Sequence, residues 1–169
     1  AIVVSTHAQK SPSIPVEHAF QLPCHTNNAE AECEALRDLY ALSTSSGRVQ
    51  WPFDGSDFCK WSGLTCSRNG SLKKIDLHKK GLEGKIPESI GAFHSLKRMY
   101  LSENNLWGPL PAELFTLSNL TYLDLSYNQI TGSLPPAVIG LKSLKWLYLK
   151  RNLMEGPLPE ELGHIAGLW

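Results

Sequence analysis

From Leu72 onward, apolar residues return at fixed positions within a 24-residue period. Four blocks, Leu72–Ser95, Leu96–Asn119, Leu120–Ser143 and Leu144–Gly167, align without insertion or deletion, and a fifth begins at Leu168 and Trp169. Their shared frame is LxxLxLxxNxLxGxLPxxLxxLxx, with Ile, Met, Val or Phe at some leucine positions. In each block the Leu-x-Leu pair alternates in and out, as a half-buried strand does; Leu123/Leu125 and Leu147/Leu149 are examples. One strand per block predicts a stacked parallel sheet, because such repeats bury a shared core that no single repeat could bury alone. Asn104, Asn128 and Asn152 follow the strand, where a buried amide can satisfy backbone groups of a sharp bend. Gly84, Gly108, Gly132 and Gly156 suit backbone that a Cβ would hinder. Pro87, Pro111, Pro135 and Pro159 can start a helical turn on the outer side. Lys80 stands where the later blocks have Asn, an edge effect expected of a terminal repeat.

A solenoid exposes core at its ends and needs caps. Upstream of the repeats, Asn27 or Asn28 can cap a helix from about Ala29 to Leu42. Leu36, Leu39 and Tyr40 fall on one face of that helix and would pack on the first repeat. Residues 1–23, polar and holding Pro12, Pro15 and Pro23, read as an extended N-terminal arm. The four cysteines, Cys24, Cys33, Cys59 and Cys66, allow three connectivities. A zinc site using Cys24, His25 and Cys33 is the rival reading, disfavoured because the spacing lacks paired Cys-x-x-Cys knuckles.

The 24-residue frame resembles the leucine-rich repeat family, in its plant-type subclass marked by the Leu-x-Gly-x-Ile/Leu-Pro segment. The resemblance covers residues 72–169, 98 of 169. The segment Cys59-Lys60-Trp61-Ser62-Gly63-Leu64-Thr65-Cys66 is similar to the Cys-x-Trp-x-Gly-Val-x-Cys cap of that subclass, with Leu64 in place of Val. The stretch from Ala35 to Trp51 is similar to the family's lead-in. The resemblance implies an α/β repeat solenoid with a parallel β-sheet on the concave face and helical or 3-10 turns on the convex face. It also implies a disulfide-bonded helical N-terminal cap over residues 24–71, in which Cys59–Cys66 is favoured and Cys24–Cys33 is left as the second bridge.

Charge and chemistry then narrow the function. Sixteen basic residues balance 16 acidic ones, which argues against a nucleic-acid protein. No apolar run approaches the ~20 residues of a membrane span. The six histidines form no zinc-hydrolase pattern, and there is no nucleophile elbow, phosphate loop or dinucleotide fingerprint. Asp76 and Asp124 occupy equivalent outward positions two repeats apart, near the spacing of a glycosidase pair. An open face offers nothing to raise a carboxylate pKa, so solvated aspartates are the better reading and no enzyme, metal or cofactor is expected. Disulfides point to an oxidising compartment, hence a secreted or cell-surface location. The sequons at Asn69 and Asn119 agree with that as candidate glycosylation sites.

The outward positions are the third, fifth, seventh and eighth of each block. They form four columns: Lys74, Arg98, Tyr122, Trp146; Asp76, Tyr100, Asp124, Tyr148; His78, Ser102, Ser126, Lys150; and Lys79, Glu103, Tyr127, Arg151. Five of these sixteen are Tyr or Trp, against 9% aromatics overall. Interface hot spots are enriched in Trp, Tyr and Arg. The candidate ligand-binding residues are therefore Lys74, Asp76, His78, Arg98, Tyr100, Tyr122, Asp124, Tyr127, Trp146, Tyr148, Lys150 and Arg151. Trp107, in the Leu-x-Gly segment, is a candidate for a lateral contact or for packing between coils. The columns are bulky and charged, unlike the flat Thr array an ice-binding surface would want. The expected function is an extracellular module that recognises a protein, peptide or glycan on its concave face. By resemblance alone, receptor-kinase ectodomains and polygalacturonase-inhibiting proteins are its models. The alternative is a structural subunit of a larger extracellular assembly. Its basis is the uncapped fourth repeat, where Leu147, Leu149, Leu158, Leu162 and Ile165 are expected to face water unless a partner covers them.

Overall fold

The computed structural model of the chain describes residues 30–43, 49–53 and 56–168. Helix α1 runs Glu30–Ala41, with Leu36 and Leu39 buried and Tyr40 packed at the edge of the core. It lies against the first convex turn, where Ser89 Oγ donates to Asp38 at 2.5 Å. The expected cap at Asn27 or Asn28 and the arm over residues 1–23 lie outside the described residues. So does Cys24; Cys33 is buried and disulfide-bonded. Cys59 and Cys66 are joined to each other.

Each block supplies a strand to one sheet, and the cap adds another at its edge. The strands are β1 (Leu64–Cys66), β2 (Leu72–Asp76), β4 (Arg98–Tyr100), β6 (Tyr122–Asp124) and β8 (Trp146–Tyr148), in that spatial order. β1 pairs antiparallel with β2 and closes the edge, whereas β2, β4, β6 and β8 are parallel. The register is uniform: Lys74, Arg98, Tyr122 and Trp146 stand side by side, as do Asp76, Tyr100, Asp124 and Tyr148. A second parallel sheet, β3 (Glu83–Gly84), β5 (Asn105–Gly108) and β7 (Gln129–Ile130), runs along the Leu-x-Gly segments. Neither β1 nor this second sheet follows from the Leu-x-Leu pattern.

Behind the sheets, short 3-10 turns at Glu88–Ala92, Ala112–Thr116, Pro136–Gly140 and Glu160–His164 line the convex side. Each follows directly on, or begins just after, the proline at 87, 111, 135 or 159. Successive turns approach so closely that a Cβ on Gly140 would lie 2.2 Å from the Phe115 carbonyl oxygen. Most of the frame leucines join one continuous core that runs from the cap to Ile165.

In the cap, Tyr40, Trp51, Phe53, Phe58 and Trp61 form an aromatic cluster with ring centroids 4.7–6.4 Å apart. The indole N–H of Trp51 donates to the Ser62 carbonyl and that of Trp61 to Ser56 Oγ, so neither is buried unpaired. The cap joins the sheet at Gly63, whose carbonyl accepts from Asp76 N at 2.7 Å. Gly63 has φ +86°, and a Cβ there would stand 2.4 Å from Asp76 O.

At the last block the structure corrects part of the expectation. Ile165 is buried, and Leu147, Leu149 and Leu162 are partly buried against the core. Leu158 remains 73% exposed. Among the described residues no helix is long and apolar enough to cross a membrane.

Candidate functional site

The concave face is built from short strands whose apolar alternates point into the core and whose polar alternates point out. Behind β4, β6 and β8 an asparagine holds the bend, buried at Asn104 and Asn128 and half-buried at Asn152. The Asn104 amide oxygen accepts from Lys80 N and Leu82 N, and its nitrogen donates to Leu77 O and Leu101 O. Asn128 accepts from Leu106 N and donates to Leu101 O and Leu125 O. Asn152 accepts from Ile130 N and donates to Leu125 O and Leu149 O. Each asparagine thus ties its own coil to the one before. Lys80, where the first rung is missing, supplies only its backbone N–H to Asn104.

This bend imposes a backbone conformation invisible in the side-chain pattern. Lys79, Glu103, Tyr127 and Arg151, each just before the asparagine position, have φ of 52, 54, 55 and 58°. A non-glycine residue in the left-handed region costs roughly 1–2 kcal/mol. The conformation persists because it lets the N–H groups of Lys79, Glu103 and Tyr127 bond carbonyls of the next coil, at Ser102, Ser126 and Lys150. The eighth column therefore leaves the line of the strand.

An open groove of about 390 Å³ crosses the sheet. Of the expected residues, Asp76, His78, Tyr100, Tyr122, Asp124, Tyr127, Tyr148 and Lys150 line it. Lys74, Arg98, Trp146 and Arg151 do not; Arg98 and Trp146 share the neighbouring column with Lys74 and Tyr122. Ser102, Ser126 and Glu103 complete the lining, though they were absent from the candidate set. The two serines are only 5% and 4% exposed, so the seventh column forms the groove floor where those repeats cross it.

Tyr100, Tyr122 and Tyr148 make a continuous ladder over three strands, with ring centroids 4.7 and 5.4 Å apart and planes tilted by 35 and 36°. Lys74 Nζ sits 5.2 Å from the Tyr100 ring centroid and Lys150 Nζ 5.2 Å from that of Tyr127. Burial, together with Tyr148, Asp124 and Tyr100, pushes the Tyr122 phenol up to about 12, so it remains a neutral hydrogen-bond donor through the physiological range. The carboxylates are engaged: Asp76 with Lys74 at 2.9 Å, Glu103 with Lys79 at 3.0 Å, and Asp124 by accepting from Ser126 N and Oγ. His78 Nδ1 lies 3.3 Å from Ser102 Oγ. Among the described residues no group of His, Cys, Asp or Glu is arranged to hold a metal ion. Trp107 lies apart, on β5, 46% exposed with Lys85 Nζ 5.1 Å from its ring. It is a lateral surface residue whose ring meets Lys85 of the preceding coil. The sequon residues Asn69 and Asn119 are both exposed and outside the groove lining.

A family model described as leucine rich repeat matches residues 94–154. The BIR2 ectodomain from Arabidopsis thaliana superposes with a TM-score of 0.74 at 32% identity, over 79% of this chain and 74% of that one. A chain of the BIR3–SERK2 complex from the same plant gives 0.72 at 31% identity, over 79% and 76%. Phytosulfokine receptor 2 of Arabidopsis thaliana is 39% identical over 78 residues, 44% of this chain and 7% of the receptor. The chain spans 4–7% of the length of the curated relatives it matches. With four registered 24-residue coils, the Cys59–Cys66 cap and these likenesses, the chain belongs to the leucine-rich repeat family, alongside the ectodomains of plant receptors.

Proposed function

We propose that this chain is an extracellular recognition module that binds a protein or peptide ligand in its concave groove, as a receptor ectodomain segment or a secreted recognition protein. The observation that carries this reading is the Tyr100–Tyr122–Tyr148 ladder on a solvent-facing sheet. Core packing does not require it, since the apolar alternates of the same strands already fill the interior. Large aromatic side chains beside cations are the composition of binding hot spots. The name of one relative is that of a receptor, and one structural neighbour was solved as a two-protein complex, which supports the same reading. The Cys59–Cys66 disulfide suits the cell exterior, and exposed Asn69 and Asn119 are proposed glycan carriers that leave the groove open. The groove's carboxylates all have internal partners, so the function is read as binding without catalysis.

The test is retention of ligands from extracellular fluid on the immobilised chain, comparing wild type with the Trp146→Ala/Tyr148→Ala variant. Loss of the retained species with unchanged circular dichroism is expected. Identical retention by both proteins overturns the reading. A second reading, assembly with a partner at the fourth repeat, has Leu153 and Leu158 in its favour, 59% and 73% exposed. A sedimentation profile of a clean monomer with no tendency to associate counts against it.

A further inference from the structure

We infer that the groove selects an acidic peptide segment, extended across the coils and carrying at least one planar side chain. This rests on the concave groove being the ligand face. The first argument is the pairing of charges on that face. Of its carboxylates, Asp76 is paired with Lys74 and Glu103 with Lys79, whereas Asp124 is hydrogen-bonded to Ser126 and keeps its charge. Three cations remain without a carboxylate partner among the described residues: exposed Lys150 lines the groove, and exposed Arg98 and Arg151 lie on the same face outside its lining. The sixteen outward positions carry five Lys or Arg against three carboxylates, so this face is positive although the whole chain holds 16 basic and 16 acidic residues. Ligand carboxylates that come to rest there gain charge-assisted hydrogen bonds, and the surrounding field speeds their arrival.

The second argument separates a peptide from an acidic sugar. Sugars need an open aromatic face to lie on. In the ladder, neighbouring rings cover one another at 4.7 and 5.4 Å, and Lys74 and Lys150 sit over Tyr100 and Tyr127. Ring edges, phenol oxygens and the Tyr148 ring, which has a ring neighbour on one side only and is 37% exposed, are what the ladder leaves available. Those suit backbone amides and edge-to-face contact with a planar side chain. The third argument is length. From the Asp76 strand to the Tyr148 strand there are three strand spacings, about 14 Å at ~4.8 Å each. That distance takes about four residues of extended chain.

The test uses a displayed library of random heptapeptides selected against the whole chain, with a uronic-acid oligomer as a separate titrant. Enriched peptides should hold more Asp and Glu than the input, together with Phe, Tyr, Trp or Pro. The Arg98→Gln/Lys150→Gln/Arg151→Gln variant should bind them at least tenfold more weakly and lose the salt dependence that wild type shows. Enrichment of neutral or basic peptides, no enrichment, or tighter binding of the uronic-acid oligomer than of any peptide overturns the inference. Two outcomes are distinguishable. Neutral peptides that bind wild type but not Tyr148→Ala keep the groove as the ligand face and remove only the acidic preference. Peptides whose binding Tyr148→Ala leaves untouched remove the groove itself.

Discussion

The asparagine ladder makes unequal demands on its three rungs, and the inequality can be measured. Replacing Asn104 by Ala removes the acceptor of Leu82 N and Lys80 N and the amide donor to Leu77 O. Its other carbonyl partners keep donors, Leu101 O from Asn128 and Ser102 O from the Lys79 N–H. Asn128→Ala deprives Leu106 N of its acceptor, whereas Leu101 O and Leu125 O retain donors from Asn104 and Asn152. Asn152 is only half-buried, and water can replace part of what it gives. A buried polar group left unpaired costs about 1–3 kcal/mol, and an ordinary hydrogen bond contributes about 1 kcal/mol. The expected losses are therefore about 4 kcal/mol for Asn104→Ala, about 3 for Asn128→Ala and about 1 for Asn152→Ala. Urea unfolding followed by tryptophan fluorescence, at constant m-value, reads these directly. Asn104→Asp supplies a control. It keeps the acceptor but turns an oxygen towards Leu77 O and Leu101 O, so it should be as damaging as Ala at neutral pH and recover on acidification. Equal losses at all three rungs, or less than about 1 kcal/mol at Asn104, would refute the account of shared partners.

Two further outcomes follow from the same geometry. Gly63 and Gly70 have nearly equal φ, +86 and +81°, but only Gly63 faces a neighbour, Asp76 O. Gly63→Ala should thus lower the melting temperature well beyond Gly70→Ala, whose loss should stay near the ~1 kcal/mol of a strained φ; similar shifts for both would remove the close approach as the cause. For Tyr122, the folded-state phenol titrates near 12 against 10.0 for the ordinary group. Folding favours its protonated form, so this contribution is complete below about pH 10 and is lost as pH rises towards 12. Absorbance at 295 nm should show one of the five tyrosines ionising late, and Tyr122→Phe should abolish that late component; its persistence would assign the shift elsewhere.

The fold was legible because a repeat states its period four times over. Every copy must bury the same face against its neighbours, so Leu123 and Leu125 predict the positions of Met99, Leu101 and Leu147. The columns of the concave face were legible for the same reason. A uniform register carries Lys74 to Arg98, Tyr122 and Trp146 without slippage. The helix of the cap could be read from Leu36, Leu39 and Tyr40, but the aromatic cluster of Tyr40, Trp51, Phe53, Phe58 and Trp61 could not. Those five residues have no shared spacing, and only the fold of the cap brings them together.

By itself, the sequence determined the solenoid, its period and which side chains face out, because these follow from local alternation and a constant repeat length. Tertiary structure decided which of those outward residues form one site. Ser102 and Ser126 sink to the floor of the groove because the chain turns left-handed immediately after them. Asp76 and Glu103 pair with Lys74 and Lys79, leaving Arg98, Lys150 and Arg151 as cations of this face with no carboxylate partner among the described residues. The Lys79–Glu103 pair, for instance, joins two coils across 3.0 Å. A linear pattern holds no record of such distances, which is why the sequence showed the surface and only the structure showed its unpaired charge.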